Sequence, residues 1–107
     1  MSWIELNEIE EREIIPGFHV RFVHSENMTL AYWRVDEGAK IPEHSHPHEQ
    51  VVNLIEGRFE LVIDGQARQV EPGSVALIPG GVSHSGRALS DCRIIDVFHP
   101  VREDYLA

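Results

Sequence analysis

The residues best suited to chemistry in this chain are histidines. Seven are present: His19, His24, His44, His46, His48, His84 and His99. Three of them crowd into the segment Pro42-Glu43-His44-Ser45-His46-Pro47-His48-Glu49-Gln50. Residues two apart in an extended strand share a face, so His44, His46, His48 and Gln50 all have the parity to point one way. Pro47 removes one ladder donor and can bend the strand, which frees His48 to depart from the others. Neutral imidazole is a borderline donor suited to Zn, Cu, Fe or Ni. Two histidines on one strand supply two corners of a metal site. A third ligand from elsewhere fixes the ion and leaves open positions for a substrate. His84 is the natural third corner, because Pro79-Gly80-Gly81-Val82-Ser83 makes a tight approach into a new strand there. His19, His24 and His99 lack such a context and read as surface or packing residues.

A second feature is Asp96, which interrupts the apolar run Ile94-Ile95-Asp96-Val97-Phe98. Period two puts Asp96 and Phe98 on one face. A carboxylate in such a run is costly to bury unless it is paired or functional; the plainer alternative is an Asp at a strand edge bonded to an Arg. Cys92 is the only cysteine. A single thiol excludes an internal disulfide and a Cys-based metal cage, and its apolar neighbours make it a buried small hydrophobe. Ser83 and Ser85 flank His84 as polar strand positions, and nothing resembles a Ser-His-Asp hydrolase array.

The elements that would carry these residues are strands. Phe18, Val20 and Phe22 alternate with His19, Arg21 and Val23. Further strands are expected over Met28 to Val35, Gln50 to Ile55, Arg58 to Ile63, Gln66 to Val70, Val75 to Ile78 and Cys92 to Phe98. Gly or Pro turns separate them, and Asp64-Gly65 is a two-residue hairpin signal. No ten-residue stretch after Pro16 has helical periodicity. Short strands every eight to twelve residues indicate an all-β sandwich or small barrel. One such domain is expected over residues 18–107. Residues 1–17 form an acidic arm containing Glu5, Glu8, Glu10, Glu11 and Glu13; a charge run of this kind reads as solvated, the alternative being a strand or arm docked on the domain or on a partner subunit.

The chain of 107 residues suits one ordinary domain. Its 9 Lys and Arg against 18 Asp and Glu give a net charge of −9, which excludes nucleic acid and anionic membranes as natural partners. The start, Met1-Ser2-Trp3-Ile4-Glu5, has neither the basic residues nor the apolar stretch of a secretory signal, and no run approaches the roughly 20 apolar residues of a membrane span. A soluble, cytoplasmic location is the expectation.

With these residues in view, the chain resembles the cupin superfamily. The first cupin motif, Gly, five residues, His-x-His, three or four residues, Glu, six residues, Gly, is matched by Gly38, His44, His46 and Gly57, with Gln50 in the Glu position. The second, Gly, five residues, Pro-x-Gly, two residues, His, three residues, Asn, is matched by Gly73, Pro79, Gly81 and His84, with Ala88 in place of the Asn. The likeness spans residues 38 to 88 and implies a single small cupin β-barrel, a jelly roll. A Gln in place of Glu removes a negative charge from the ligand set, so a divalent ion keeps its full charge and attracts anionic or enolate oxygens more strongly. Glu49, one residue away, could substitute through a bulge.

A narrower resemblance is to the pectin-degradation cupins, carried by His44 to Gln50 and by the tail Asp96-Val97-Phe98-His99-Pro100-Val101-Arg102-Glu103-Asp104-Tyr105-Leu106. That family converts 4,5-unsaturated monouronates from pectin or alginate to linear keto forms. The resemblance implies a divalent metal (Ni, Zn, Mn or Fe) on His44, His46, Gln50 and His84. It implies catalytic roles for Asp96, Phe98 and Arg102, with Arg102 pairing the carboxylate of a small anionic sugar; pairing with Glu103 or Asp104 is the plainer reading of Arg102. His48 is a further substrate-side or ligand-orienting candidate. Asn53 is another, although its parity differs from that of Gln50 and a bulge would have to turn it inward. Arg58 and Arg34 are lesser candidates. A homodimer is the expected assembly. A non-haem iron dioxygenase and a non-catalytic sugar-acid binding protein remain alternatives on the same residues.

Overall fold

The computed structural model describes residues 2–106. Met1 and Ala107, the outer ends of the expected arm and domain, lie outside the described residues. Among the described residues there are ten strands: β1 Arg12–Ile15, β2 Phe18–His24, β3 Thr29–Val35, β4 Lys40–His44, β5 Glu49–Glu56, β6 Phe59–Ile63, β7 Gln66–Val70, β8 Val75–Ile78, β9 His84–Ala88 and β10 Cys92–His99. The helical content is two three-residue 3-10 turns, Leu6–Glu8 and Glu103–Tyr105. A six-stranded sheet runs β1-β2-β3-β10-β5-β8, and a four-stranded sheet runs β4-β9-β6-β7. All neighbouring strands are antiparallel. The architecture is the all-β jelly roll expected from the strand spacing, with two sheets facing each other over a common core rather than hydrogen-bonded into a closed cylinder.

Period-two burial builds that core. Phe18, Val20 and Phe22 are buried on β2, and Cys92, Ile94, Asp96 and Phe98 on β10. Phe18, Val35, Val52, Leu54, Ile78 and Ile94 of the larger sheet meet Phe59, Leu61, Val70 and Ala88 of the smaller. Burying a Val, Leu, Ile or Phe side chain is worth about 1.5–3 kcal/mol, so the apolar inner faces supply the main drive for closing the two sheets. Cys92 is buried there, and its thiol donates to the carbonyls of Arg58 and Ser90. The Asp64-Gly65 hairpin forms with both residues at positive φ, 49° and 77°, as a primed two-residue turn requires.

The acidic arm is partly a strand. β1 pairs with the edge of β2, and Glu11 accepts from Arg21 (3.2 Å) and Arg34 (2.7 Å). Those contacts settle the arm's second half on its own domain. They also draw Arg34 to the outer face of the sheet.

The histidine segment differs from the single extended strand expected for His44 to Gln50. β4 ends at His44 and β5 begins at Glu49, so residues 45–48 carry the chain from one sheet to the other. The bend at Pro47, which lacks an amide donor, accounts for the break. The turn before β9 closes on this crossing: Gly81 N–H donates to His46 O at 2.8 Å, and a Cβ on Gly80 would collide with the Pro47 carbonyl. Only a residue without a side chain allows the two backbones to approach this closely. Gly80→Ala is expected to lower stability by roughly 1–3 kcal/mol, as overpacking does. The urea midpoint of the variant, compared with that of the parent, measures the effect.

Candidate metal centre and cavity

His44 at the end of β4, His46 in the crossing and His84 at the start of β9 converge. One ligand atom from each lies within 4.8 Å of the other two. Ring centroids are 4.2 Å apart for His44 and His84 and 5.0 Å for His46 and His84. β4 and β9 are paired with His44 opposite His84, which fixes the first contact. The Gly80-Gly81 turn brings His46 to the pair.

Each ring is oriented by the same device. Nδ1 of His44 lies 2.8 Å from Pro42 O, that of His46 3.0 Å from His48 O, and that of His84 2.9 Å from Val82 O. A carbonyl only accepts, so each Nδ1 must carry the proton. In the neutral ring Nε2 is then left as a lone-pair donor. His84 Nε2 is buried and has no hydrogen-bond partner. Burial, followed by the charge of Arg102, lowers the His46 pKa to about 4, and burial lowers that of His84. Both rings are therefore neutral donors at neutral pH.

Gln50 is buried on β5, its Oε1 3.1 Å from His46 Nε2. The Gln50 amide also acts as a donor toward Asp96, pulling that carboxyl's pKa down. A carboxylate accepts, so the amide NH2 faces Asp96 and the amide oxygen faces His46. Two lone pairs thus confront each other across 3.1 Å. A cation between them relieves that opposition, and the buried Nε2 of His84 offers a third pair of electrons to it. The donor set fits a divalent metal held by three imidazoles and an amide oxygen. Glu49, the possible substitute, is exposed and opposes His99 in the outward register, away from this group.

Asp96 lies beside the cluster, buried on the central strand β10 rather than at a sheet edge. Its Oδ2 accepts from Trp33 Nε1 at 3.0 Å, and its Oδ1 is buried without a partner. Burial pushes its pKa up to about 7, against the opposing pull of the Gln50 and Trp33 donors and the Arg102 charge. One oxygen is thus held and the other is free. A cavity of about 60 Å³ receives these groups, lined among others by His44, Gln50, His84, Asp96, Phe98 and Arg102. Phe98 forms part of its wall, 5.7 Å from the His46 ring.

For Arg102 the structure shows the pairing with a neighbouring carboxylate. Arg102 is buried and lines the cavity, and its guanidinium pairs with Asp104 at 2.7 and 3.0 Å. Its backbone N–H donates to the fully buried Thr29 at 2.9 Å.

Two residues expected on the substrate side lie outside the cavity lining. Asn53 does not line the cavity; its amide donates to Ile95 O at 3.1 Å, because no bulge turns it to the inner face. His48 does not line the cavity either; it acts on His46 through its backbone carbonyl, while its buried Nδ1 lacks a partner. Arg34 is engaged by Glu11 on the outer face, and Arg58 is exposed. His19 and His24 bond Asp36 and Thr29, and His99 is exposed, in keeping with packing and surface roles.

Sequence reasoning passed over Trp33 and Tyr105, and named Asp104 only as a surface partner of Arg102. Trp33 is 63 positions from the Asp96 it holds, and no local spacing signals such a pair. Tyr105 was visible only as a neighbour of Arg102 in the tail.

A family model for the cupin domain matches residues 31–98. An uncharacterised protein of Streptomyces coelicolor is 30% identical over 102 residues, covering 94% of this chain and 97% of its own length. The pectin degradation protein KdgF of Dickeya dadantii is 28% identical over 106 residues, covering 97% of this chain and 90% of its own. The solved structure of KdgF from a Halomonas species superposes with a TM-score of 0.93 at 28% identity, over 99% of both chains.

His84→Ala removes the donor buried most deeply in the cluster. Metal content after purification, read by elemental analysis, is expected near one equivalent in the parent. The variant is expected to lose affinity at least 10-fold, by analogy with the losses that even supporting residues of metal sites cause.

Proposed function

The chain belongs to the cupin family, and on that premise we propose that it converts 4,5-unsaturated monouronates to their linear keto forms. The observation that carries this reading is the shared cavity: one free oxygen of a buried carboxylate, two imidazoles of the metal-competent cluster, His44 and His84, and a buried cation line the same space. The likeness to pectin degradation proteins supports the substrate class. The oxygenase and binding-protein readings use the same donor set and gain no observation of their own.

The chemistry is an isomerisation. The hemiacetal hydroxyl at C1 gives up its proton, the C1 carbonyl forms, and the C1–ring oxygen bond breaks toward C5. The electrons remain on the C5 oxygen as an enolate conjugated with the C4–C5 double bond. Protonation at C4 then gives the C5 ketone, so one proton leaves oxygen and one arrives at carbon, with no net redox change. Asp96 Oδ1 is the group placed to take the first proton and deliver the second. A pKa near neutrality suits a residue that must do both.

Trp33 and Gln50 orient the Asp96 carboxyl, leaving only Oδ1 to face the substrate. Arg102 pairs the substrate carboxylate, and Phe98 excludes water along one wall. His44, His46, His84 and Gln50 would hold the divalent metal, which supplies Lewis-acid stabilisation of enolate charge. The metal's identity stays open among Ni, Zn, Mn and Fe.

We further propose a homodimer through the outer face of the larger sheet. Cross-strand register places Val23, Leu30, Val97, Val51 and Leu77 in one aliphatic row over five strands. Leu77 and Val75 at its end are 69% and 58% exposed. An aliphatic row across a whole sheet face marks an interaction surface. Leu77→Asp is expected to shift the sedimenting species from dimer to monomer.

Asp96→Asn keeps the shape and hydrogen-bonding size of the side chain but removes its base. It is expected to retain metal content and to slow the loss of uronate C=C absorbance by about 10²–10⁴-fold, the usual share of a general acid–base group. A near-parental rate would remove Asp96 from the mechanism. Spontaneous linearisation is subtracted as control.

A further inference from the structure

The cavity, with its space of about 60 Å³, is partly open to solvent, and the C-terminal segment forms part of its wall. Its lining residues lie on strands with two exceptions, Arg102 and Tyr105, which belong to the C-terminal segment around the Glu103–Tyr105 turn. That turn buries none of its residues fully and has no side-chain cap. It is fastened by Tyr105, which stacks on Phe22 with centroids 4.4 Å apart and packs against Phe98 and the Arg102 guanidinium, and by the pairing of Asp104 with Arg102.

Arg102 is the only Arg or Lys among the residues lining the cavity. Two of its N–H groups are already filled by Asp104, Nε to Oδ1 at 3.0 Å and Nη2 to Oδ2 at 2.7 Å. This is the two-point geometry a ligand carboxylate adopts on arginine. We infer that Asp104 is an internal stand-in for the ligand's carboxylate: its pairing with Arg102 holds the C-terminal turn shut, and an entering anionic sugar displaces it. The inference rests on the reading of Arg102 as the carboxylate-binding cation.

The two partners are unequal in a way that favours exchange. The Arg102 side chain is 9% exposed and that of Asp104 56%. Arg102 is held independently of Asp104, by the Thr29 hydroxyl at its backbone N–H and by the Phe98 ring, 4.8 Å from its guanidinium carbon. Asp104 has water to turn to, and the ligand carboxylate takes its place on Arg102, so the exchange strands no buried charge. The device also selects its ligand. A neutral sugar has no group to replace the Asp104 carboxylate and leaves the turn closed.

The test is binding of D-galacturonate, a saturated uronate that cannot turn over, to the purified chain by calorimetry. Asp104→Asn is expected to bind it roughly 5- to 20-fold more tightly, because the competing closed state no longer taxes affinity. Glu103→Gln removes the same charge from the same turn without touching Arg102, and a change under about twofold is expected, as for an exposed charge. D-galactose is expected to gain nothing from Asp104→Asn.

Equal tightening in both variants would reduce the effect to a general field and overturn the inference. Weaker binding by Asp104→Asn would make Asp104 a support for Arg102 and overturn it as well. Binding that is lost in Arg102→Gln but unchanged in Asp104→Asn would sink the stand-in while sparing the role of Arg102. No binding by any of the proteins would remove that role together with everything built on it.

Discussion

Three backbone carbonyls decide what the centre of this molecule can do. Pro42, His48 and Val82 each hold the Nδ1 proton of a histidine two positions away, and so dictate where the lone pair of each ring lies. Without those tethers, three clustered imidazoles could satisfy one another by proton sharing. With them, His84 Nε2 is stranded in a buried site and His46 Nε2 faces an amide oxygen. The site is a set of donors with no donor hydrogen among them, a state of high cost in a dry interior unless a cation collects it. The surrounding fold serves to hold this arrangement in place.

The fold does so by using both sheets. His44 and His84 are neighbours within the smaller sheet, Gln50 comes from the larger, and His46 rides the strand-free crossing between them. The crossing is positioned by contact with the Gly80-Gly81 turn. Any slippage between the sheets would therefore separate ligands, which couples the apolar core to the chemistry. Asp96 and Phe98 sit on the strand at the middle of the larger sheet, the position least able to move. The C-terminal turn is the only lining element free of strand hydrogen bonds. Rigidity and access are thus assigned to different parts of the chain.

Much of this was legible in the sequence, for identifiable reasons. Period-two burial and Gly- or Pro-centred turns announce strands because both are local properties, and the hairpin at Asp64-Gly65 is encoded in two adjacent residues. The histidines were legible as a group because the segment from His44 to Gln50 is short and the second patch ends in a glycine turn. The sequence pattern failed where tertiary geometry took over. Parity assigns His44, His46 and Gln50 to one face of an extended strand that Pro47 can bend; the strand instead stops at His44, and the chain changes sheets over residues 45–48. Asn53 obeyed its parity and stayed on the outer face. The hold of Trp33 on Asp96 and the bidentate pairing of Arg102 arise from folding, and spacing carries no trace of the first. The acidic arm read as solvated because its charges are dense; Arg21 and Arg34, distant in sequence, supply the partners that dock it.

The most direct measurement of the central claim is the tautomeric state of His44, His46 and His84, read by long-range 1H–15N correlation spectra of the metal-free protein at about pH 8, above the ordinary imidazole range. The account predicts that all three rings carry their proton on Nδ1 and leave Nε2 bare. Protonated Nε2 on any of them would contradict it, since that ring could then neither keep its carbonyl tether nor offer electrons to the centre.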